Sequence, residues 1–203
     1  MPRWTLVYWY FQVWRAKGLW VRISAALRGQ LRRSEGRKTS PSAAILDRQS
    51  VKTTESPGLR GYDAGKKVKG RKRHLVVDTL GLPLRVAVQA ADIQDRDGAR
   101  QVLDRLQDDF PRLRVVWADE GYRGPKLGDG VKAQGTWQLD IVRRNPDAEG
   151  FEVLPKRWIV ERTFAWLGRY RRLSKDYERR LDSSGTWIHI ALSRCMLKRL
   201  SMA

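Results

Sequence analysis

In the stretch Ala43-Ala44-Ile45-Leu46-Asp47-Arg48-Gln49-Ser50-Val51-Lys52, an apolar start and a β-branched close read as a strand with an acid in its interior. A strand aspartate flanked by apolar residues is unfavourable unless something pairs with it. Asp47 is therefore an acid paired with a cation such as Arg48, an edge residue open to water, or a functional group.

Downstream, Lys72 to Thr79 and Leu84 to Gln89 form a hairpin, with Gly81 and Pro83 in its turn and Leu84, Val86 and Val88 alternating on one face. A helix starts near Asp95 or Asp97 and puts Ala99, Val102, Leu103, Leu106 and Phe110 on one stripe. Leu113 to Ala118 reads as a buried strand running into Asp119, with Gly121 allowing a sharp turn. A helix-like piece, a strand at Trp137, Leu139 and Ile141, and a long helix over about Pro155 to Ser174 complete the order. Three strands, a helix, a strand, a helix, a strand and a helix make an α/β fold on a mixed sheet.

Upstream, Trp4, Val7, Tyr8, Phe11 and Trp14 fall at helical spacing, and Trp20, Ile23 and Leu27 suggest a second short helix after Gly18. Both helices are expected to pack their aromatics into a core. Gly29 to Ser42, with Arg32, Arg33, Arg37 and Lys38, reads as a basic linker.

The 203 residues allow one domain of ordinary size and a small extension. Forty-one Lys and Arg against 22 Asp and Glu give a net charge of +19, on a chain whose 41% hydrophobic content and nine Trp still build a core. Such a balance favours a polyanion, nucleic acid before membrane, because no apolar stretch approaches the roughly 20 residues of a span. The charge is clumped. Residues 1–42 hold nine basic residues and one acid, Arg60 to His74 seven and one, and Lys156 to Arg180 nine and three, while Asp92 to Glu120 holds eight acids and five basic residues. Cys195 is alone, which excludes an internal disulfide, and His74 and His189 complete no zinc-ligand spacing. A metal would therefore need oxygen ligands. The start, Met1-Pro2-Arg3-Trp4, lacks the layout of a secretory signal, which makes the cytoplasm, with nucleoid association, the expected location.

Asp47 in the first strand, Asp119 closing the fourth, and Glu161 among Trp158, Ile159, Val160, Phe164 and Trp166 are semi-buried acids on three distant elements. Each alone reads best as half of an ion pair. Together, on this order of elements, they match what a ribonuclease H-like fold needs to hold two divalent ions about 4 Å apart for phosphoryl transfer. Mg²⁺ suits such an all-oxygen site. Asp78 and Asp92 belong to the second and third strands and are left aside; His74 is expected to fill a strand position.

The blocks Leu46 to Lys52, Gly61 to Lys67, Gly70 to His74, Ala118 to Gly124 and Arg157 to Leu167 resemble the signature blocks of bacterial insertion-sequence DDE transposases of the IS-four/IS-five superfamily, in the right order from about Ile45 to Asp182. The resemblance implies a ribonuclease H-like mixed sheet flanked by helices, with Asp47, Asp119 and Glu161 as catalytic and metal-holding acids. It also implies Mg²⁺ with Mn²⁺ able to substitute, double-stranded DNA (element ends and target) as partner, and a homodimer on DNA. Its reaction is cleavage at element ends followed by 3′-hydroxyl attack on target DNA. Lys66, Lys67, Lys69, Arg71, Lys72 and Arg73 would lie along phosphates, or form a solvated hairpin edge; Arg157, Arg162 and Arg169 are further DNA candidates. In the family's helix signature, Arg157 and Glu161 fit, whereas Leu154 stands at the Tyr position and Gly168 at the Lys position, leaving Arg169 or Arg171 as the substitute. The expected division is a partial helical DNA-binding module with basic linker over 1–41 and a catalytic domain over 42–203. Trp4 to Ala26 resembles only the closing helices of the family's N-terminal module, as in a truncated copy or a second reading frame. The rival readings are an inactive DNA-binding remnant or regulator, and a ribonuclease H-like nuclease acting on RNA or junctions.

Overall fold

The computed structural model describes residues 1–55, 58–124, 127, 137–143 and 156–202. Helices α1 (Trp4–Ala16) and α2 (Leu19–Ser34) precede β1 (Ala43–Lys52), β2 (Gly61–Asp63), β3 (Val68–Asp78) and β4 (Pro83–Ala90). Then come α3 (Asp95–Leu103), α4 (Leu106–Asp109), β5 (Val115–Ala118), β6 (Gln138–Ile141), α5 (Arg157–Gly168) and α6 (Leu181–Leu200). The strands lie in the order β4-β3-β1-β5-β6, with β2 pairing the Val68–Gly70 end of β3. β1, β3 and β4 run antiparallel, and β5 and β6 run parallel to β1. This is the mixed, ribonuclease H-like sheet expected from the sequence, flanked by helices on both faces.

Strand periodicity sorts the core. Ala44 and Leu46 join Val76, Val102, Leu103, Leu106 and Phe110 beneath α3 and α4, whereas Ile45 joins Leu75, Val77, Val160, Phe164, Leu167 and Ile188 beneath α5 and α6. A smaller cluster of Leu31, Leu82 and Met196 ties α2 to α6 and to the β3–β4 turn.

Several expectations need correction. The single stripe from Ala99 to Phe110 is two helices, because Arg105 takes a left-handed conformation (φ 51°) between α3 and α4. The long final helix stops at Gly168, and the chain turns through a 3₁₀ segment at Arg171–Leu173. α6 was not expected at all: it buries Ser184, Ile188, His189, Leu192, Ser193 and Met196 on several sides, so it shows no single apolar stripe. The basic linker begins too early, since α2 continues to Ser34 and Arg32 is buried against Asp78. α1 does not fill a core. None of its residues is buried, Trp4, Tyr8 and Trp9 are exposed, and its packing is limited to contacts such as Phe11 stacked on Trp187 at 5.2 Å. The helix-like piece before Trp137 lies outside the described residues, as does Leu154. Among the described residues no helix is long and apolar enough to cross a membrane.

Asp176 anchors the segment between α5 and α6. Its carboxylate pairs with Arg71 at 3.0 Å, both side chains fully buried, and accepts from Ser184 Oγ at 2.5 Å and from the Glu178 amide at 3.1 Å. Removing one partner of a buried ion pair leaves the other charge desolvated. Asp176→Ala is expected to lower stability by about 3–5 kcal/mol, measured as the shift in a urea unfolding curve.

Candidate functional site

Asp47 continues the Ile45 face of β1, two residues on. β5 runs parallel beside it in the register Ile45↔Trp117, and the same two-residue step beyond Trp117 reaches Asp119. Parity thus puts both aspartates on the α5 side of the sheet. α5 begins beside them, with Arg157 in its first turn and Glu161 one turn further along.

The three acids converge on one atom. Arg157 Nη2 lies 3.7 Å from Asp47 Oδ2, 3.6 Å from Asp119 Oδ2 and 3.6 Å from Glu161 Oε1. Two of the three environments differ from the sequence expectation of semi-buried acids, and Asp119 matches it. Asp47 is buried, Asp119 is intermediate and Glu161 is exposed, because Glu161 points away from the apolar face that Val160, Thr163, Phe164 and Leu167 turn inward. Asp119 Oδ1 accepts from the Gly121 amide at 3.0 Å, and Asp47 Oδ1 from the Arg48 amide at 2.7 Å. Burial pushes the Asp47 carboxyl up to about 6; the Arg48 amide and Arg157 oppose this, while Asp119 and Glu161 add to it.

Among the described residues, no group of three or more His, Cys, Asp or Glu side chains is drawn together closely enough to hold a metal ion. Around the arginine, however, the donor chemistry is that of a hard-cation site: three carboxylates from three elements, with a cationic nitrogen at nearly equal distance from each. The guanidinium occupies the point the three carboxylates share, and in donor chemistry, all carboxylate oxygens, the set fits a divalent ion.

The remaining candidates divide by exposure. Lys66, Lys67, Lys69 and Arg169 are exposed and free to meet phosphates. Arg71, Lys72 and Arg73 are buried, which corrects the expectation that they lie along DNA. Arg71 donates to the carbonyls of Leu59, Glu178 and Arg179 besides pairing with Asp176. Arg73 donates to the carbonyls of Leu173 and Lys175. Lys72 pairs with Asp95 at 2.9 Å and donates to the Ile93 carbonyl. Arg162 is also engaged, its guanidinium 4.8 Å from the Trp158 ring and 4.9 Å from the Trp166 ring, with a bond to the Leu80 carbonyl. His74 fills a strand position, as expected. Its Nε2 accepts from Gln89 at 2.9 Å and its Nδ1 lies 3.2 Å from the Tyr122 hydroxyl, and burial pushes it down to about 4, so it is neutral.

Sequence reasoning missed the polar cluster on the opposite face. Arg48 bridges Asp63 at 3.1 Å and Asp95 at 2.8 Å, and Ser50 Oγ donates to Asp63 at 2.5 Å. The signal was present in the strand period, which puts Arg48 and Ser50 together and away from Asp47. Asp78, left aside as a site residue, is structural: it pairs with Arg32 and accepts from the Leu80 and Leu82 amides.

Residues 38–196 match the family model described as "Transposase DDE domain". The chain is similar to a putative transposase for insertion sequence element IS402 from Burkholderia cepacia, 31% identical over 128 residues that cover 60% of each protein. It is also similar to a putative transposase for insertion sequence element IS6501 from Brucella ovis (strain ATCC 25840 / 63/290 / NCTC 10512), 27% identical over 131 residues that cover 63% of this chain and 98% of the relative. The match thus spans less than two thirds of the IS402 protein. Among solved structures, a chain of the simian T-cell lymphotropic virus intasome in complex with PP2A regulatory subunit B56 gamma superposes with a TM-score of 0.50 at 15% identity, covering 75% of this chain and 48% of that one. At that identity the likeness is one of fold.

An acid whose folded value lies above its ordinary 3.8 binds protons more tightly in the native state. The contribution of Asp47 to stability is therefore most favourable below about pH 4, falls as pH rises to about 6, and stays constant above that. Asp47→Asn removes this penalty. Relative to wild type, the variant should gain about 2 kcal/mol more at pH 8 than at about pH 4.5, read from chemical denaturation at the two pH values.

Proposed function

The chain belongs to the transposase DDE domain family, and from the convergence of three acids on one cation position we propose that it cleaves DNA at the ends of an insertion sequence and joins the resulting 3′-hydroxyl to target DNA. The carrying observation is the meeting of Asp47, Asp119 and Glu161 at 3.6–3.7 Å around Arg157 Nη2. These three carboxylates would hold Mg²⁺, with Mn²⁺ able to substitute. When bound, such ions polarise the phosphoryl oxygen and make water or a hydroxyl a stronger nucleophile at neutral pH.

The chain's own groups divide the remaining work. Asp47 is buried, so as a carboxylate it is stabilised by a cation beside it more than either partner that water reaches. Asp119 is oriented by the Gly121 amide, and that bond leaves Oδ2 facing the shared position. Arg157, released from that position, remains within one side-chain swing of the acids and can pair with a nonbridging phosphate oxygen. Exposed Lys66, Lys67, Lys69 and Arg169 supply salt-sensitive, sequence-independent affinity for the backbone. No protein nucleophile is required by this scheme. Residues 1–41 are read as part of a DNA-binding module and 42–203 as the catalytic domain, acting as a homodimer because two element ends must be joined.

On a plasmid carrying the element ends, Mg²⁺- or Mn²⁺-dependent nicking by the wild type and its abolition in Asp119→Ala is the expected result. Unchanged nicking in the variant overturns the assignment. Independently of turnover, Mn²⁺ should raise the melting temperature of the wild type and leave that of Asp119→Ala unmoved, as checked by a thermal melt against metal concentration.

A further inference from the structure

Burial of Arg71, Lys72 and Arg73 leaves the exposed charge of the basic run at its N-terminal end. There, where β1 pairing ends at Lys52↔Gly70, the β2–β3 hairpin borders a groove of about 340 Å3 lined by Lys52, Arg60, Tyr62, Lys67 and Lys69, with Glu55 the one acid among the described lining residues. All five of the first residues are exposed, and Tyr62 is 54% open to solvent. Tyr62 and Lys69 are direct cross-strand partners, so ring and ammonium rise from the same face of the sheet. An exposed aromatic side chain beside Arg60, Lys67 and Lys69 offers both things a nucleotide needs, a stacking platform and phosphate neutralisation. An acidic peptide would use the charges and leave the ring idle.

The groove also lies on a path from the three acids. Lys69 falls one step past Gly70, opposite the continuation of β1 at Thr53, six residues from Asp47. At strand rise this is about 20 Å along the same face, roughly six nucleotide steps. Between them the face is covered by residues 171–179, held down by the bonds from Arg71 and Arg73, with Arg171, Lys175 and Arg179 exposed on the outside. Positive charge therefore continues from the acids to the groove.

We propose that this groove binds a DNA strand, taking phosphates on Arg60, Lys67 and Lys69 and an unstacked base on the ring of Tyr62. The inference rests on the DNA reading above and adds a place, a geometry and an aromatic contact to it. The test uses the full chain and fluorescence anisotropy with a labelled single strand and the duplex of the same sequence, between about 50 and 200 mM salt. Tyr62→Ala is expected to weaken the single strand about tenfold and the duplex less than about twofold, with Tyr62→Phe restoring wild-type binding. Lys67→Ala with Lys69→Ala should weaken both probes and reduce the salt slope on the single strand by about 1.4. Loss on Tyr62→Ala that is absent, or equal on the two probes, overturns the groove, as does an unchanged salt slope in the lysine pair. A wild-type chain that binds neither probe removes the DNA reading itself, which separates the two failures.

Discussion

Three carboxylates aimed at one point repel one another, and in this chain a single guanidinium at 3.6–3.7 Å from each offsets that repulsion. The arrangement governs what surrounds it. Asp47 and Asp119 each lie two residues past the last pair of the parallel β1–β5 ladder, Ile45↔Trp117, which brings the two chains to the site side by side. Glu161 and Arg157 sit four residues apart on one helix, so the neutralising cation is carried by the same element as one of the acids. α5 in turn is pinned by Ile159, Val160, Phe164 and Leu167 in the apolar cluster beneath it. Packing on one side of the helix thus sets the electrostatics on the other.

The far half of β1 and β3 solves a different problem with the same means. Past Asp47 the sheet buries Arg71, Lys72 and Arg73, whose desolvation is costly unless the charges are paired or hydrogen-bonded. On one face Asp176 and four backbone carbonyls beyond β3 receive Arg71 and Arg73, tying residues 171–179 to the sheet. On the other, Asp63 and Asp95 receive Arg48 and Lys72 and tie the hairpin and the start of α3. The irregular segments are held by charge-assisted bonds where apolar contacts are few.

Legibility in the sequence followed the physics of each element. β1, β3 and β4 are readable because strand period and turn residues agree, and the order of elements was sufficient to point at Asp47, Asp119 and Glu161 before their meeting could be seen. The exposure of Glu161 was hidden because apolar neighbours in sequence occupy different sides of a helix. α6 was hidden because a helix covered on several sides has no polar stripe, and the break at Arg105 because a left-handed residue of that type carries no local signal. The basic run misled most: a lysine or arginine looks the same in a sequence whether it faces water or an aspartate one hundred residues away.

That last ambiguity extends to how the run would behave under substitution. Arg71 and Arg73 act as tethers for residues 171–179, so exchanging either for alanine would loosen the surface that carries Arg171, Lys175 and Arg179. An alanine scan read only by DNA retention would rank two interior residues among the strongest contacts, although neither side chain reaches the solvent. Charge count and contact count diverge here, and the folding of the loop is the hidden variable between them.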